Sequence, residues 1–337
     1  MKSHTTEKPE SFAFADPETT SLGQTAAAIA AEHGGDSGFL LMDRGRDALA
    51  WRTILADAAE KTIDAQYFLW KNDEAGKIMM QRLLAAADRG VRVRVMIDDS
   101  MTDSDPGYLA LFGAHPNIEL RLYKPFGPKH KSLVVRWIDY VADLRVLNRR
   151  MHNKLYVVDG SVAIVGGRNI GDEYFATGSL IDFGDLDLLA VGPVVREVSN
   201  AFDEYWNSEL AYPIATLAEQ IPTDEQVDEP RVALQTYVED LGDSDYAEAL
   251  RESDLAVALR SRSLTFTWGE AKALYDSPEK ILADMDRKDL HLSSQLGPYF
   301  EKAKSELIIF SPYFVPGKRG VKFLTGLAAR GVKVRIF

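Results

Sequence analysis

The residues best suited to chemistry lie within residues 151–169, which begin with His152 and Lys154. These two are separated by one position in a run of strand-forming residues, so their side chains are expected on the same face of a strand. A neutral imidazole can act as a nucleophile or an acid near pH 7, and lysine supplies a fixed positive charge. Together they suit a phosphate group.

The next residues predict a turn, a second strand and a return to the same end. Asp159 and Gly160 favour a turn, and an apolar strand is expected to run to Val165. Residues 166–169, Gly-Gly-Arg-Asn, then bring the chain back toward His152. The two glycines allow the backbone to approach a ligand closely, and they also suit a tight turn.

Composition excludes several classes of site. The 337 residues are 46% hydrophobic, enough for one large domain or two medium ones. The absence of cysteine excludes disulfides, thiolate catalysis and cysteine metal sites. A net charge of -12 argues against general nucleic-acid coating. The sequence contains no run of about 18 apolar residues, the length that would predict a membrane-spanning helix. The N-terminus lacks the pattern of a secretory signal, so the cytoplasm is the expected compartment.

Helical and strand patterns alternate in the first part of the chain. Residues 47–59 and 76–88 have helical apolar spacing, whereas residues 62–70 and 91–97 have the composition of strands. This alternation predicts an α/β fold with a mixed, largely parallel sheet flanked by helices. The expected organisation is a disordered leader, a first domain, an acidic linker with a helical insertion, and an incomplete second domain, at residues 1–36, 37–211, 212–296 and 297–337.

Positive charge is concentrated around the reactive stretch. Between Arg121 and Lys154 there are nine Lys or Arg against two Asp, inside an acidic chain. Trp137 and Tyr140 are interleaved with these cations, a mixture typical of surfaces that meet anionic headgroups or phosphodiesters. The segment is either a solvated basic loop or a contact to substrate or membrane, and its position before His152 favours the contact.

The end of the chain repeats part of the first domain. Residues 59–68 match residues 303–314, and residues 84–95 match residues 327–336 in the same order. In the first copy His152 lies 62 residues beyond Gly90, whereas six residues follow the equivalent Gly331. The second copy of the reactive stretch is therefore expected to be missing from this chain.

The reactive stretch resembles the HKD motif of the phospholipase D superfamily. The pattern His-x-Lys-x4-Asp is followed by Gly-Gly-x-Asn, and the matching residues are His152, Lys154, Asp159, Gly166, Gly167 and Asn169. Residues 151–154, 166–175 and 185–195 are most similar in wording to the bacterial cardiolipin synthases, in particular the C-type members. The resemblance runs from about residue 38 to residue 337.

This resemblance implies transfer of a phosphatidyl group without a metal or another cofactor. An active-site histidine, here His152, would attack a phospholipid phosphodiester, and the hydroxyl of a second phospholipid would resolve the phosphatidyl-histidine. Water as the acceptor would give phosphatidic acid. Lys154 and Asn169 would hold the non-bridging phosphate oxygens, with Gly166 and Gly167 allowing close approach.

The reaction also needs a carboxylate that holds the other imidazole nitrogen and fixes its tautomer. Asp185 is the candidate for this role and Asp187, on the same face, is the alternative; the two could instead be a metal pair. Glu173 is a secondary candidate within the matched region. Asp159 belongs to the motif, although its Asp-Gly context fits a structural turn equally well.

Two HKD copies face each other in this superfamily, each histidine serving the other as acid or base, so this chain is expected to hold half a site. A C-terminal continuation or a second copy would complete it. Three functions remain open. They are part of a cardiolipin synthase or related enzyme using phosphatidylglycerol or similar donors, a homodimeric single-motif phosphodiesterase or nuclease, and a non-catalytic module that binds anionic membrane. The expected location is the inner face of the plasma membrane, with no specific nucleic-acid partner.

Overall fold

A computed structural model describes residues 8–98, 113–125, 150–177, 183–217, 224–241, 264–282, 287, 290–311 and 314–337. The chain divides into two compact units, Met1–Ala273 and Leu274–Phe337. Among the described residues, no helix combines the length and apolar character needed to cross a bilayer.

A nine-stranded sheet forms the centre of the first unit, in the order β8-β4-β3-β2-β5-β6-β7-β1-β9. Its strands are β1 Ser37–Met42, β2 Thr62–Tyr67, β3 Arg92–Asp98, β4 Ile118–Tyr123, β5 Leu155–Val158, β6 Val162–Gly166, β7 Asp187–Val191, β8 Ala211–Pro213 and β9 Thr267–Gly269.

The predicted α/β class is confirmed, but the expectation of a largely parallel sheet is wrong. Within the described sheet, β2 is parallel to β3 and β3 to β4, whereas the other neighbouring strands are antiparallel. β5 and β6 are joined by a short turn, which permits only antiparallel pairing because a parallel pair needs a long crossover. The helix-strand alternation used for the prediction covers only β2 and β3.

Helices cover both faces of this sheet. They are α1 Ser21–Ala30, α2 Gly45–Ala58, α3 Glu74–Asp88, α4 Asp172–Phe175, α5 Val194–Asn207, α6 Ile214–Leu217 and α7 Asp224–Leu241, with short 3-10 turns at Pro17–Thr19 and Ala31–His33.

Strand β2 shows which helices lie on which face. Tyr67 points toward α2, where its hydroxyl accepts a hydrogen bond from Arg52 at 2.9 Å. Asp64, three positions earlier and therefore on the opposite face, pairs with Arg94, whose guanidinium lies over the Phe202 ring of α5. Helices α2 and α3 thus pack on one face and α5 on the other, so β2 and its neighbours are buried on both sides.

The predicted disordered leader over residues 1–36 differs from the structure, in which the chain is built into the first unit from residue 8 onward. The carbonyl oxygens of Ser11 and Pro9 accept hydrogen bonds from Arg94 and Arg121, each at 2.8 Å. The Ala13 amide donates to Asp203 of α5 at 2.8 Å. These contacts are to backbone atoms, so they leave no apolar periodicity in the sequence.

Residues 212–296, predicted as linker and insertion, contribute elements to the first unit as well. β9 extends the sheet by pairing with β1, with Thr267 opposite Phe39. Helix α7 buries Val227, and its Arg231 pairs with Asp88 of α3 at 2.7 Å. The boundary between units therefore lies after Ala273, earlier than the expected boundary at residue 296.

The second unit contains the predicted repeat as a β-α-β arrangement. Its elements are a 3-10 turn at Pro278–Ile281, α8 Leu292–Glu301, β10 Glu306–Ile309, α9 Gly317–Ala329 and β11 Lys333–Ile336. β10 and β11 are parallel, as are β2 and β3. Gly90 and Gly331 precede the second strand of each pair with φ of 94° and 90°, a left-handed conformation that glycine adopts without strain.

Candidate active site

The predicted reactive residues come together at one edge of the large sheet. β2 and β3 are parallel and end at this edge. β5 runs antiparallel to β2, so residues 151–154, which precede it, lie beside those strand ends. Gly166 at the end of β6 is opposite Asp187 at the start of β7. Residues distant in sequence thus converge because the strands alternate in direction between β2 and β7.

His152 and Lys154 lie just before β5, since that strand begins at Leu155, and not within a strand as predicted. The Lys154 ammonium donates to the His152 carbonyl oxygen at 2.7 Å. The Phe68 ring lies 5.0 Å from the imidazole ring and 5.5 Å from the ammonium. His152 is exposed, whereas Lys154 is 7% exposed. A reachable imidazole is therefore next to a buried amine.

The charge on Lys154 is not fixed near neutral pH, contrary to the expectation. Burial lowers its pKa to about 7, while the nearby carboxylates of Asp185, Asp98 and Asp187 act in the opposite direction. A bound phosphate would add negative charge next to the amine and favour its protonated form. The site thus holds a cation that an anionic ligand would stabilise.

The two candidate carboxylates, Asp185 just before β7 and Asp187 at its start, have different surroundings. Asp187 is fully buried, and its Oδ2 accepts a hydrogen bond from Arg52 at 2.8 Å. Asp185 is half-buried, and its Oδ1 accepts from the Leu186 amide at 2.8 Å. Burial raises the pKa of Asp185, with a further contribution from the Asp187 charge. Asp187 is thus neutralised by an arginine, which leaves Asp185 as the better candidate for the histidine partner.

Within the described part of the chain, Asp185 and Asp187 do not belong to a larger ligand set. Among the described residues, no group of three or more His, Asp or Glu side chains is arranged to hold a metal ion.

Gly166, which ends β6, and Gly167, which follows it, make room for these carboxylates. A Cβ on Gly166 would lie 2.0 Å from Asp187 Oδ1, and a Cβ on Gly167 would lie 2.0 Å from Asp185 Oδ1. Any side chain at either position would displace a carboxylate. The close approach predicted for a phosphate is thus made here by the protein's own acidic side chains.

Asn169 is buried, and its side-chain amide links the residues after β2 to helix α4. Its Oδ1 accepts from the Leu69 amide at 3.1 Å, and its Nδ2 donates to the Tyr174 hydroxyl at 2.9 Å. Within the described part of the chain Tyr174 takes one of the two Nδ2 hydrogens, which leaves the other for a ligand. Glu173, the secondary candidate, forms an ion pair with Lys71 at 2.7 Å.

Asp159 lies at the opposite edge of the sheet from His152, because β5 separates them. This four-residue strand spans roughly 13 Å. The Asp159 carboxylate accepts three backbone hydrogen bonds at the start of β2, from Glu60 at 3.0 Å and from Lys61 and Thr62 at 2.8 Å each. Its own φ is 49°, so the turn geometry and the hydrogen bonds fit the structural alternative for this residue.

The predicted basic surface falls mostly on residues 126–149, which lie outside the described residues. Four of its cations are described; Lys124 is half-buried, and the other three are buried, which does not fit a surface role for those three. Arg121 lies over the Trp206 ring at 4.2 Å, Arg150 pairs with Asp98 at 3.3 Å, and Lys154 belongs to the site.

Two buried arginines at this edge were not predicted. Arg150 was counted only as part of the basic segment, although it contacts Asp98 at the end of β3. Arg52 lies within residues 47–59, for which the sequence predicts only a helix, yet it is 2% exposed and hydrogen-bonded to Tyr67 and Asp187. An arginine on the apolar face of a helix needs a buried acceptor. The position of Arg52 among apolar residues is therefore the sequence feature that could have indicated its burial.

Similarity to known proteins agrees with this geometry. A family model described as "Cardiolipin synthase, PLD-like domain" matches residues 53–206. Cardiolipin synthase C of Escherichia coli (strain K12) is 36% identical over 316 residues, covering 94% of this chain and 65% of that protein. The major cardiolipin synthase of Bacillus subtilis (strain 168) is 31% identical over 168 residues, covering 48% of this chain and 32% of that protein. The chain thus spans a little under two thirds of the Escherichia coli relative.

A solved structure shares the fold. Phosphatidylserine synthase of Haemophilus influenzae Rd KW20 matches with a TM-score of 0.53 and 13% identity, covering 93% of this chain and 65% of that chain. At that identity the similarity concerns the fold alone. The motif, the convergence of His152 and Lys154 at one sheet edge and the matched family model agree. Residues 53–206 therefore carry a phospholipase D-like domain, and the chain as a whole resembles the cardiolipin synthases.

Proposed function

We propose that this chain carries one half of a phosphatidyl-transferring active site in which His152 is the nucleophile. An imidazole nitrogen of His152 would form a bond to the phosphorus of a phospholipid, and the bond from phosphorus to the leaving alcohol would break. The hydroxyl of a second phospholipid would then attack phosphorus, release His152 and yield cardiolipin when donor and acceptor are phosphatidylglycerol. Water in place of that hydroxyl would give phosphatidic acid.

The observation that carries this proposal is the exposed imidazole of His152 beside the buried amine of Lys154. A phosphodiester placed at the imidazole would bring its negative charge to an amine whose pKa burial has lowered to about 7. Protonated Lys154 would then stabilise the oxygens on which charge accumulates in the transition state. Asn169 would add its remaining amide hydrogen.

The leaving alkoxide needs a proton, and a second histidine is the donor we propose. It would come from a continuation of the chain or from a second copy, since this superfamily joins two such halves. Substrate access at an anionic membrane surface, on the cytoplasmic side, is part of the same proposal. It is supported by the names of the relatives and by the excess of Lys and Arg between positions 121 and 154.

The test is His152→Ala in the natural full-length protein, expressed in cells that lack other cardiolipin synthases. We expect cardiolipin to fall to the level of cells carrying an empty vector, because the proposed nucleophile is removed. His33→Ala is the matched control. His33 precedes β1 and stacks on Trp268, so it lies at the opposite edge of the sheet from His152. Cardiolipin at the wild-type level in the His152→Ala strain would contradict the assignment, and phosphatidic acid alone in the wild-type strain would favour hydrolysis.

A further inference from the structure

We propose that Asp98 is a positioning residue that holds the chain immediately before His152 and supplies negative charge to the site around Lys154. This inference rests on the proposed function for its effect on turnover. Its effect on Lys154 can be measured without any reaction.

Asp98 reaches the reactive segment from a strand that is not adjacent to it. It closes β3, which is separated from β5 by β2. Its Oδ2 accepts from the Met151 amide at 3.1 Å, and its Oδ1 accepts from Arg150 Nη1 at 3.3 Å. The same Arg150 nitrogen donates to the Lys124 carbonyl oxygen at 2.7 Å. The Asp98–Arg150 pair thus joins three chain segments, the end of β3, the end of β4 and residues 150–151.

This contact replaces the strand pairing that the segment lacks. β5 pairs with its neighbours from Leu155 onward, so the Met151 amide lies outside the ladder. Met151 and Asp98 are both fully buried. A buried amide without an acceptor costs about 1–3 kcal/mol, and here the acceptor is a side chain. The position of His152, one residue later, therefore depends on Asp98 on one side and on contact with the Phe68 ring on the other.

The charge of Asp98 also acts on Lys154. Burial lowers the Lys154 pKa, and three carboxylates raise it. They are those of Asp185 and Asp187, near the start of β7, and of Asp98, at the end of β3. Among the residues that the structure describes, the ammonium also contacts the His152 carbonyl and the Phe68 ring. Because Arg150 shares the Asp98 charge, the two residues should move the Lys154 titration in opposite directions when removed.

The buried pair Asp64–Arg94 offers a control that distinguishes an effect of Asp98 on the site from a general loss of stability. Asp64 is 2% exposed and accepts from Arg94 at 2.6 and 2.8 Å, on the same face of β2 and β3, but it does not contact residues 150–154. Asp64→Asn should therefore destabilise the fold as Asp98→Asn does and leave the site unchanged.

The experiment compares Asp98→Asn, Arg150→Met and Asp64→Asn in the full-length protein. The pH profile of kcat/KM is measured with short-chain phosphatidylglycerol. The Lys154 titration is followed by NMR of 13C-labelled lysine and assigned with Lys154→Met. In Asp98→Asn we expect a lower Lys154 pKa, an alkaline limb shifted to lower pH and a fall of about tenfold in kcat/KM at pH 8. In Arg150→Met the Lys154 pKa should rise and the alkaline limb should move to higher pH. In Asp64→Asn the Lys154 pKa and the alkaline limb should both stay unchanged.

Equal titration of Lys154 in the wild type, Asp98→Asn and Arg150→Met would overturn the proposal, as would an Asp64→Asn profile that shifts like that of Asp98→Asn. If Asp98→Asn does not fold, the Lys154 titration in Arg150→Met decides between the two roles. A purely structural Asp98–Arg150 ion pair predicts no rise in the Lys154 pKa when Arg150 is replaced. A wild-type protein without transferase activity would refute the proposed function, while the NMR titration would still test the action of Asp98 on Lys154.

Discussion

Burial of Lys154 disfavours its charged form, and this makes the stability of the protein depend on pH. Burial lowers the Lys154 pKa from 10.5 to about 7. Between these values the unfolded chain binds a proton that the folded chain does not, so the stability contribution of this group rises with pH across that window. Below pH 7 both states bind the proton, and the cost of burying the charge is fully present.

Replacing Lys154 by Met should therefore stabilise the protein while abolishing activity. We expect the free energy of unfolding at pH 6 to increase by on the order of 2–4 kcal/mol, with the gain over wild type shrinking toward pH 10. Urea unfolding at several pH values measures this difference. Lys61→Met, at an exposed lysine before β2, is the control and should change little. A Lys154→Met protein no more stable than wild type at pH 6 would contradict the lowered pKa.

Asp185 and Asp187 differ by two positions and should respond differently to the same substitution. Asp185→Asn is expected to keep the fold and lower kcat by about 10²–10⁴, because the imidazole would lose the carboxylate that we propose fixes its tautomer. Asp187→Asn leaves buried Arg52 without its charge partner and should lower stability by roughly 3 kcal/mol. Thermal unfolding and single-turnover kinetics on both variants separate these effects. Asp185→Asn with normal turnover, or a larger catalytic loss in folded Asp187→Asn, would reverse the assignment.

At the scale of elements, the pattern of residues 151–169 predicted the strand, the turn and the second strand, because apolar alternation and Asp-Gly are local signals. The placement of His152 within a strand was wrong for a non-local reason. The Met151 amide is held by Asp98 instead of a neighbouring strand, and no pattern within residues 151–169 records that contact.

The roles of the motif residues were predictable to different degrees. The convergence of His152 and Lys154 follows from the motif, whereas the glycines make room for Asp185 and Asp187 through strand pairing that only the fold defines. Buried Arg52, Arg94 and Arg121 resemble surface cations in a sequence until the helix and the N-terminal segment that contact them are placed. For the same reason the ordered residues after position 8 were missed.

For the protein as a whole, we propose that one histidine carries the phosphatidyl group and that this histidine is His152. The first unit brings together the imidazole, Lys154 and Asp185 at one sheet edge, while the second unit repeats the β-α-β arrangement of β2 and β3. In the proposed function a second half-site supplies the proton for the leaving alcohol.

Peptide mapping after a single turnover tests this claim most directly. Full-length protein would be mixed with phosphatidylglycerol labelled in the phosphate that joins the two glycerols, quenched under alkaline conditions that preserve phosphohistidine, and analysed by mass spectrometry. We expect the label on the peptide that contains His152, with formation and decay rates that match turnover. Label on a different residue, or product formed at the normal rate without any labelled peptide, would contradict the account.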